Sequence, residues 1–378
     1  LVGLGDVYKR QVSWSSIGTD NGATITGYEV VSNPGGFVCT NTLTTCTFNG
    51  LVNGTQYSFA VRSQNLAGWS ALSAWSTPTA PAAAPLAPTG VNAVQGANSA
   101  TVSWIAADDN GLPVTSYRVT ASPGGSTCNT SGALTCTVPN LMNGQQYTFT
   151  VTATNVLGMS PSSLPSGPVV PMTIPDAPTN VVGTLSNASV VVTWNAANNQ
   201  GSAVFNYIVT ASPGGASCTS ATTTCTVLGL TNGTAYTFTV KAVNSVGTSA
   251  ASIASAEVIP ATLPGVPLNV TAVRGNQSVT VSWTAAASNG SAIIEYRVIP
   301  SAGTSSCITN TTTCVVTGLV NGASYTFTVK ATNGIGTSLA SAPTSTVIPA
   351  GPADAPTNVT AVPGAAIATV TWSAALAS

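Results

Sequence analysis

The most informative stretch of this 378-residue sequence is Leu141-Met-Asn-Gly-Gln-Gln-Tyr147. Its Asn-Gly pair favours a tight turn, because both residue types tolerate positive φ angles. The turn leads into Gln146-Tyr-Thr-Phe-Thr-Val-Thr152, where apolar and polar residues alternate as in a strand with one buried face. The same arrangement of Leu, Gly and Tyr recurs at residues 51–57, 230–236 and 319–325. The sequence therefore predicts the same turn and strand at four places.

The region around this stretch repeats along the whole chain. Tryptophans recur at intervals of 90, 90, 89 and 89 residues, and they are Trp14, Trp104, Trp194, Trp283 and Trp372. Such a period is too long for a solenoid repeat and long enough for a domain with its own core. Proline-rich joins separate the repeats, and proline stiffens short connectors. We predict beads on a string, with domains at residues 1–79, 86–172, 175–260 and 264–349 and the start of a fifth at 354–378.

Each repeat is predicted to be an all-β sandwich. In the second repeat, alternating residues predict strands at 100–104, 115–120 and 146–152, with turns rich in Gly, Pro and Asn between them. No segment has the sustained period of a helix. Four aromatic residues of this repeat are expected to fill its core: Trp104, Tyr117, Tyr147 and Phe149.

These residues resemble the fibronectin type III family over nearly the whole chain. The family has a Trp in its second strand and a Tyr in its third, matched in the second repeat by Trp104 and Tyr117. Its Leu-x-x-Gly-x-x-Tyr corner packs the Tyr ring inward while the hydroxyl bonds to the turn. An Asn-x-x-Gly-x-Ser motif, also typical of the family, begins at Asn65, Asn155, Asn244 and Asn333. The resemblance implies tandem seven-stranded immunoglobulin-like β-sandwiches of a bacterial-type secreted or cell-surface protein.

Each complete repeat also holds one pair of cysteines, which most members of the resembled family lack. The pairs are Cys39/Cys46, Cys128/Cys136, Cys218/Cys225 and Cys307/Cys314. A metal site needs four ligands and the chain has no histidine, while a redox site would use Cys-x-x-Cys, which is absent. We predict four hairpin disulfides, each across the short polar loop between the fourth and fifth strands of its repeat and each stabilising its domain by about 2.5 kcal/mol. Disulfides imply an oxidising compartment, so the protein is expected to be extracellular or on the cell surface.

The composition excludes several functions. Without histidine, Ser-His-Asp hydrolysis and imidazole metal sites are impossible, and the few carboxylates are scattered rather than paired. A charged fraction of 4% provides no basic surface for nucleic acid. No apolar run reaches the ~18 residues of a membrane span. We expect no catalytic activity, no cofactor, no metal and a monomeric array. The turn Asp108-Asp-Asn-Gly111 lacks the ligands of a calcium loop and is predicted to be solvated.

The two ends depart from the repeat. The segment Asp6-Val-Tyr-Lys-Arg-Gln11 has no counterpart in the other repeats and resembles translated adapter sequence from sequencing libraries. We expect residues 1–11 to stand in place of a native first strand, with the natural repeat beginning near Val12. Residues 354–378 would supply only the first two strands of a fifth sandwich, too few to bury a core. The sequence is therefore interpreted as a fragment of a longer product.

Three functional hypotheses remain from the sequence. The first is a non-catalytic extracellular array that serves as a spacer, stalk or adhesive module, with other extracellular proteins or polysaccharide as partners. The second is a set of accessory domains in a secreted polysaccharide-degrading enzyme. The third is carbohydrate or protein binding through loops, for which Trp69, Trp75 and Phe37 could form a stacking platform. The simpler interpretation of these three aromatic residues is local packing in a turn.

Overall fold

A computed structural model describes residues 9–16 and 20–375 of the chain. Within these ranges every regular element is a β-strand, and all strand pairs are antiparallel. The chain divides into two compact units, of which one holds the first two domains and the other holds most of the third domain, the fourth domain and the C-terminal strands. The predicted all-β class of tandem sandwiches is confirmed.

The first domain contains two sheets. Its strands are β1 (Lys9–Ser13), β2 (Gly27–Asn33), β3 (Val38–Asn41), β4 (Thr45–Asn49), β5 (Ser58–Asn65) and β6 (Gly68–Trp69). One sheet has the order β1-β4 and the other has the order β3-β2-β5-β6. Residues 1–8, on which most of the expected replacement of a first strand falls, lie outside the described residues. Residues 9–11 begin β1, the strand that ends one residue before Trp14.

The second domain has all seven strands of the expected sandwich. They are β7 (Thr89–Gly96), β8 (Ser99–Ile105), β9 (Ser116–Ser122), β10 (Thr127–Thr130), β11 (Thr135–Val138), β12 (Thr148–Asn155) and β13 (Gly158–Met159). The sheet orders are β11-β8-β7 and β10-β9-β12-β13.

The third and fourth domains repeat this topology. The third has β14 (Thr179–Ser186), β15 (Ser189–Asn195), β16 (Asn206–Ser212), β17 (Ser217–Ser220), β18 (Thr224–Leu228) and β19 (Thr237–Val243). The fourth has β20 (Leu268–Gly275), β21 (Ser278–Thr284), β22 (Ile293–Pro300), β23 (Cys307–Thr309), β24 (Thr313–Thr317) and β25 (Phe327–Asn333). Their sheets are β14-β15-β18 with β17-β16-β19, and β20-β21-β24 with β23-β22-β25. The seventh strand is reduced in both to a single bridge, Val243 to Thr248 and Thr332 to Thr337.

The core of each domain lies between its two sheets, as the period of two requires. Along β12, Phe149, Val151 and Ala153 are fully buried, while the threonines between them reach the surface. The four predicted core aromatics of the second domain all belong to one buried cluster. Trp104 and Tyr117 come from opposite sheets, and their ring centroids are 5.4 Å apart. This ring contact is repeated at 5.3 Å in each of the other three domains.

The tyrosine corner forms in all four domains as expected. The backbone amide of Met142 donates to the Tyr147 hydroxyl oxygen at 3.1 Å. The amides of Val52, Thr231 and Val320 make the same bond at 3.1 Å to the corner tyrosine of their own domain. Gly144 has a φ of +82°, a conformation that glycine adopts without strain. The corner therefore ties the turn to the core at the start of β12.

A ladder of hydroxyl groups replaces most of the seventh strand. In the second domain, Ser160, Ser163 and Ser166 each accept a hydrogen bond from an amide of β12 through their Oγ atoms, at 2.9–3.1 Å. Their own amides donate to carbonyl oxygens of β12. Because the hydroxyl-bearing residues recur at every third position, the chain follows β12 with a period of three instead of two. The sequence shows this period as Ser-x-x-Ser-x-x-Ser, with Thr344 as the last member in the fourth domain.

The four disulfides join the two sheets of each sandwich. Cys39 lies in β3 and Cys46 in β4, with Cα atoms 6.2 Å apart, and these strands belong to different sheets. Cα separations of 6.2–6.3 Å are found at the same two strand positions in the other three pairs, which are Cys128–Cys136, Cys218–Cys225 and Cys307–Cys314.

The prediction of a bridge within one hairpin is therefore wrong for all four pairs. In the fourth domain, for example, Cys307 lies in β23 and Cys314 in β24, and these strands belong to different sheets. The chain crosses between the sheets after the first cysteine, so consecutive strands here are not hydrogen-bonded neighbours. The sequence places each pair beside an exposed polar loop, but Cys46 and Cys314 are buried within their domain cores.

The C-terminal strands form a hairpin without a partner sheet in the described chain. They are β26 (Thr357–Gly364) and β27 (Ile367–Ser373), and they pair with each other alone. Every residue of both strands is exposed. The sequence predicts that this segment cannot bury a core, and the exposed side chains of Val370 and Trp372 agree with that expectation.

Candidate functional site

Trp69 lies at the end of the first domain, opposite Gln64 of β5. Its side chain is 40% exposed, and the guanidinium carbon of Arg62 lies 4.9 Å from the ring centroid. Arg62 in turn donates from Nε to the Glu29 carboxylate at 2.6 Å. A cation therefore covers one face of the indole, which is a favourable cation–π contact.

Two neighbouring clefts open in the first domain and share Ser63 and Ser70 in their walls. One, of about 560 Å³, is lined by Asp20, Asn21, Asn65 and Trp69. The other, of about 480 Å³, is lined by Trp14, Phe59 and Trp75. Trp75 is 48% exposed and lies between Ser73 and Ser76, two members of the hydroxyl ladder of this domain. The two exposed indoles thus lie near each other but border different clefts.

Phe37 lies elsewhere in the first domain. It sits in the turn between β2 and β3, packs against the core and has its ring centroid 6.3 Å from that of Tyr57. Tyr57 precedes β5, whereas Trp69 pairs near the far end of the same strand. The length of that strand is about 23 Å at ~3.3 Å per residue. The structure therefore does not bring the three aromatic residues into one platform: Trp69 and Trp75 border two adjoining clefts, and Phe37 packs near the other end of β5.

The joint between the first and second domains is held by polar contacts. The Gly54 amide donates to the Pro81 carbonyl at 2.9 Å, and the Asn53 Nδ2 donates to the Asn110 Oδ1 at 2.7 Å. A Cβ on Gly111 would lie 2.6 Å from the Gly54 nitrogen and 2.8 Å from the Pro81 oxygen. The two glycines therefore bring the backbones of neighbouring domains into direct contact, which no other residue type would allow.

The linker itself is bonded to the second domain. Its Ala83 amide donates to the Asn110 carbonyl at 3.0 Å, and the Asn110 Nδ2 donates to the Ala84 carbonyl at 2.8 Å. In addition, the Asn155 Nδ2 donates to the Ala83 carbonyl at 2.8 Å. These hydrogen bonds fix the linker to the second domain, and Ala83 is buried.

The joint between the third and fourth domains is built from the same parts. The Gly233 amide donates to the Pro260 carbonyl at 3.0 Å, and a Cβ on Gly290 would lie 2.7 Å from the Gly233 nitrogen. The Asn289 Nδ2 donates to the Leu263 carbonyl at 2.8 Å, and the Asn333 Nδ2 donates to the Thr262 carbonyl at 2.9 Å. The joint between the first and second domains and the joint between the third and fourth domains thus have the same geometry.

These joint residues were not identified from the sequence as a site. The turn at Asp108–Gly111 is predicted to be solvated, and its two aspartates are exposed, but Asn110 and Gly111 are half-buried against the linker. The sequence signal that could have identified them is a pair of turn motifs that recur together. An Asn-Gly pair in the corner and an Asn-Gly or Gln-Gly pair in the following turn recur at the same spacing in each repeat.

The described residues contain no cluster of three metal-binding side chains. Within the same ranges no helix is long and apolar enough to cross a membrane.

Three curated proteins illustrate what the chain is similar to. Chitinase A1 of Niallia circulans is 35% identical over 189 residues, which cover 46% of this chain and 26% of that protein. Exoglucanase B of Cellulomonas fimi is 35% identical over 266 residues, covering 65% of this chain and 24% of that protein. Receptor-type tyrosine-protein phosphatase eta of Gallus gallus is 30% identical over 246 residues, covering 63% and 17%. The chain spans about a quarter or less of the length of these relatives.

A solved structure and a family model give the remaining comparisons. The FN1–FN3 domains of chicken CNTN1 are 21% identical, with 70% of this chain and 99% of that chain covered and a TM-score of 0.33. The model of the fibronectin type III domain matches residues 8–79, 86–168, 176–258 and 264–347. The chain therefore belongs to the fibronectin type III family.

Proposed function

We propose that this chain is a stiff, non-catalytic spacer array in a secreted, bacterial-type protein that acts on polysaccharide. The names of the similar bacterial proteins, a chitinase and an exoglucanase, support the link to polysaccharide. One disulfide in each domain supports an oxidising, extracellular location. Fibronectin type III domains are non-catalytic modules, so any catalytic centre would belong to another domain of such a protein.

The observation that carries the spacer role is the bonded linker. A linker that only tethers domains is rich in Gly and Ser and makes few contacts. Here the Pro81 and Ala83 carbonyls are bonded to different domains, at 2.9 Å and 2.8 Å. Rotation about the linker would break both bonds and separate Gly54 from Gly111. Such a joint keeps two attached parts apart, whereas a flexible tether lets them approach.

Pulsed electron paramagnetic resonance tests the stiffness of the joint. Spin labels on genetically encoded amino acids at Leu43 and Leu164, which are 66% and 86% exposed, avoid the disulfides. We expect a narrow distance distribution in the unaltered chain. Gly111→Val should broaden it, because the new side chain collides with Gly54 and Pro81.

Gly124→Val is the matched control. Gly124 has a φ of +89°, close to the +94° of Gly111, but a Cβ there would meet no atom within 4 Å. Both variants carry similar backbone strain, so only the joint differs between them. A distribution that is broad in the unaltered chain, or that responds equally to both variants, contradicts a stiff spacer.

A second candidate function is polysaccharide binding at the exposed indoles of the first domain. Trp69 and Trp75 are unmatched by tryptophan in the other domains, where Met159 and Pro165 hold their places in the second. Affinity electrophoresis in gels containing soluble β-linked glucan distinguishes the two functions. A spacer migrates unretarded. Retardation that disappears in Trp69→Ala and persists in Trp75→Ala would support binding instead.

A further inference from the structure

The first domain carries one half of a joint without the other half among the described residues. Its turn Asp20-Asn-Gly22 matches the joint turn Asp109-Asn-Gly111 of the second domain. Asn21 and Asn110 have φ angles of 53° and 56°, so the two backbones take the same course. A Cβ on Gly111 would collide with Gly54, whereas a Cβ on Gly22 would meet no atom within 4 Å.

The asparagine beside this turn has equivalent hydrogen bonds in the first and second domains, apart from one bond to the linker. In the second domain, Asn155 Nδ2 donates to the carbonyls of Asp109 and Leu112, and also to the linker carbonyl of Ala83. In the first domain, Asn65 Nδ2 donates to the carbonyls of Asp20 and Ala23, at 3.3 and 3.4 Å. The linker carbonyl has no counterpart among the described contacts of Asn65.

The fourth domain shows that the linker carbonyl is part of a recurring arrangement. Asn333 Nδ2 donates to Ser288 and Ser291 of its own domain and to Thr262 of the linker, at 2.9 Å for the linker bond. In the first domain the corresponding space is the cleft of about 560 Å³ that Asn65 and Trp69 line. The cleft therefore has the position and the polar groups of the surface that binds the linker in the second and fourth domains.

We propose that this cleft of the first domain is a docking surface for the end of another fibronectin type III domain. The partner must supply an Asn-Gly corner whose glycine faces Gly22, and a following Pro-x-x segment whose carbonyl accepts from Asn65. The fourth domain of this chain has such an end, since the Gly322 amide donates to the Pro349 carbonyl at 3.0 Å. Trp69 then lies beside the docked linker, because it follows Gly68, and the equivalent Gly158 of the second domain borders the linker at Ala84. The proposal is independent of any role in polysaccharide degradation.

A fusion chain tests the proposal. Residues 264–366 are joined ahead of Lys9, so that a second fourth domain and its following strand precede β1. This junction keeps the register, because Ile367 and Lys9 each lie five residues before the tryptophan of the second strand. Fluorotryptophan incorporation with 19F NMR reports on Trp69, whose resonance is assigned with Trp69→Phe. We expect the Trp69 resonance to shift in the fusion chain and the Trp75 resonance to stay.

Gly22→Val provides the decisive control. In the original chain a side chain at Gly22 meets open space, so the substitution adds only backbone strain. In the fusion chain it should also block docking and return the Trp69 resonance to its original position. The added domain and the first domain should have a narrow spin-label distance distribution that broadens with the substitution.

Three results would overturn the proposal. The first is a Trp69 resonance that is unchanged by the fusion. The second is a shift that survives Gly22→Val. The third is a shift of Trp69 in the original chain on addition of a soluble cello-oligosaccharide or chito-oligosaccharide, which would assign the cleft to a sugar ligand.

Discussion

The hairpin β7–β8 of the second domain and the C-terminal hairpin β26–β27 have nearly the same sequence pattern and very different surroundings. Both pair in the same register, with a bulge near the start of the first strand. Val102 and Trp104 of β8 are 0% and 5% exposed, whereas Val370 and Trp372 of β27 are 46% and 59% exposed. Local pattern therefore sets the pairing and the register, and the facing sheet provides the burial. Two strands alone remain marginal in water.

The largest difference between the two hairpins is expected at their tryptophans. Trp104→Ala should lower the free energy of unfolding of the second domain by about 3–5 kcal/mol, because it removes a buried aromatic side chain. The equivalent change Trp372→Ala should leave the unfolding of all domains unchanged. Hydrogen exchange followed by mass spectrometry, resolved by domain, measures both. Amide protection near Trp372 as strong as that near Trp194 would show that the C-terminal hairpin is buried after all.

The next effect concerns the disulfide that the C-terminal hairpin lacks. Replacing Cys128 and Cys136 together by alanine should destabilise the second domain by about 2.5 kcal/mol, the chain-entropy value for a short closed loop. The third domain, with Cys218–Cys225 intact, is the internal reference in a denaturation series. Intact mass under non-reducing conditions should show two hydrogens lost for each bridge. Free thiols at all eight cysteines would contradict both the bridges and the proposed extracellular location.

A smaller effect is expected in the hydroxyl ladder, which the C-terminal hairpin also lacks. Ser163→Ala removes the acceptor of the Val151 amide at 2.9 Å and leaves a buried N–H without it. We expect a loss of about 1–3 kcal/mol in the second domain, the cost of such an unsatisfied group. Ser162→Ala is the matched control, because Ser162 is exposed on the same segment. Equal effects of both substitutions on urea denaturation would argue against the ladder.

The smallest expected effect is that of salt. The chain has a net charge of −1 and a charged fraction of 4%. The Arg62–Glu29 pair lies in the first domain and is half-exposed on the arginine side. Raising the ionic strength screens exposed charges and should change the urea midpoint of the second domain very little. A steep salt dependence in that domain would contradict the composition argument.

The sequence predicts the elements whose signals are local. The corner residues Leu141 and Tyr147 and the tryptophan period indicate the sandwich, its repeat and its core, because burial on one face imposes a period of two. The sequence analysis does not predict the hydroxyl ladder at Ser160, because the ladder has a period of three and the strands are recognised by a period of two. The cross-sheet position of Cys128 and Cys136 was missed because consecutive strands were assumed to pair with each other.

The remaining features depend on contacts between distant parts of the chain. Nothing local distinguishes Asn110-Gly111 from any solvated turn, and only the approach of Gly54 gives it a role. Likewise, Phe37 and Trp69 are both candidate surface aromatics in the sequence. The structure alone shows that they lie near opposite ends of β5. Predicting such features requires the relative placement of elements that sequence patterns alone do not provide.

The joint has a consequence for how such proteins grow. The second and fourth domains each present a receiving turn at one end and an Asn-Gly corner with a proline carbonyl at the other. Each of these two repeats therefore carries both halves of a joint in one stretch of about 90 residues. Duplication or loss of one whole repeat in the gene would still leave two compatible halves of a joint next to each other. An insertion of one residue in the linker would displace the carbonyls that both neighbours bind. A change of one whole domain therefore preserves the joint, whereas a change in linker length does not.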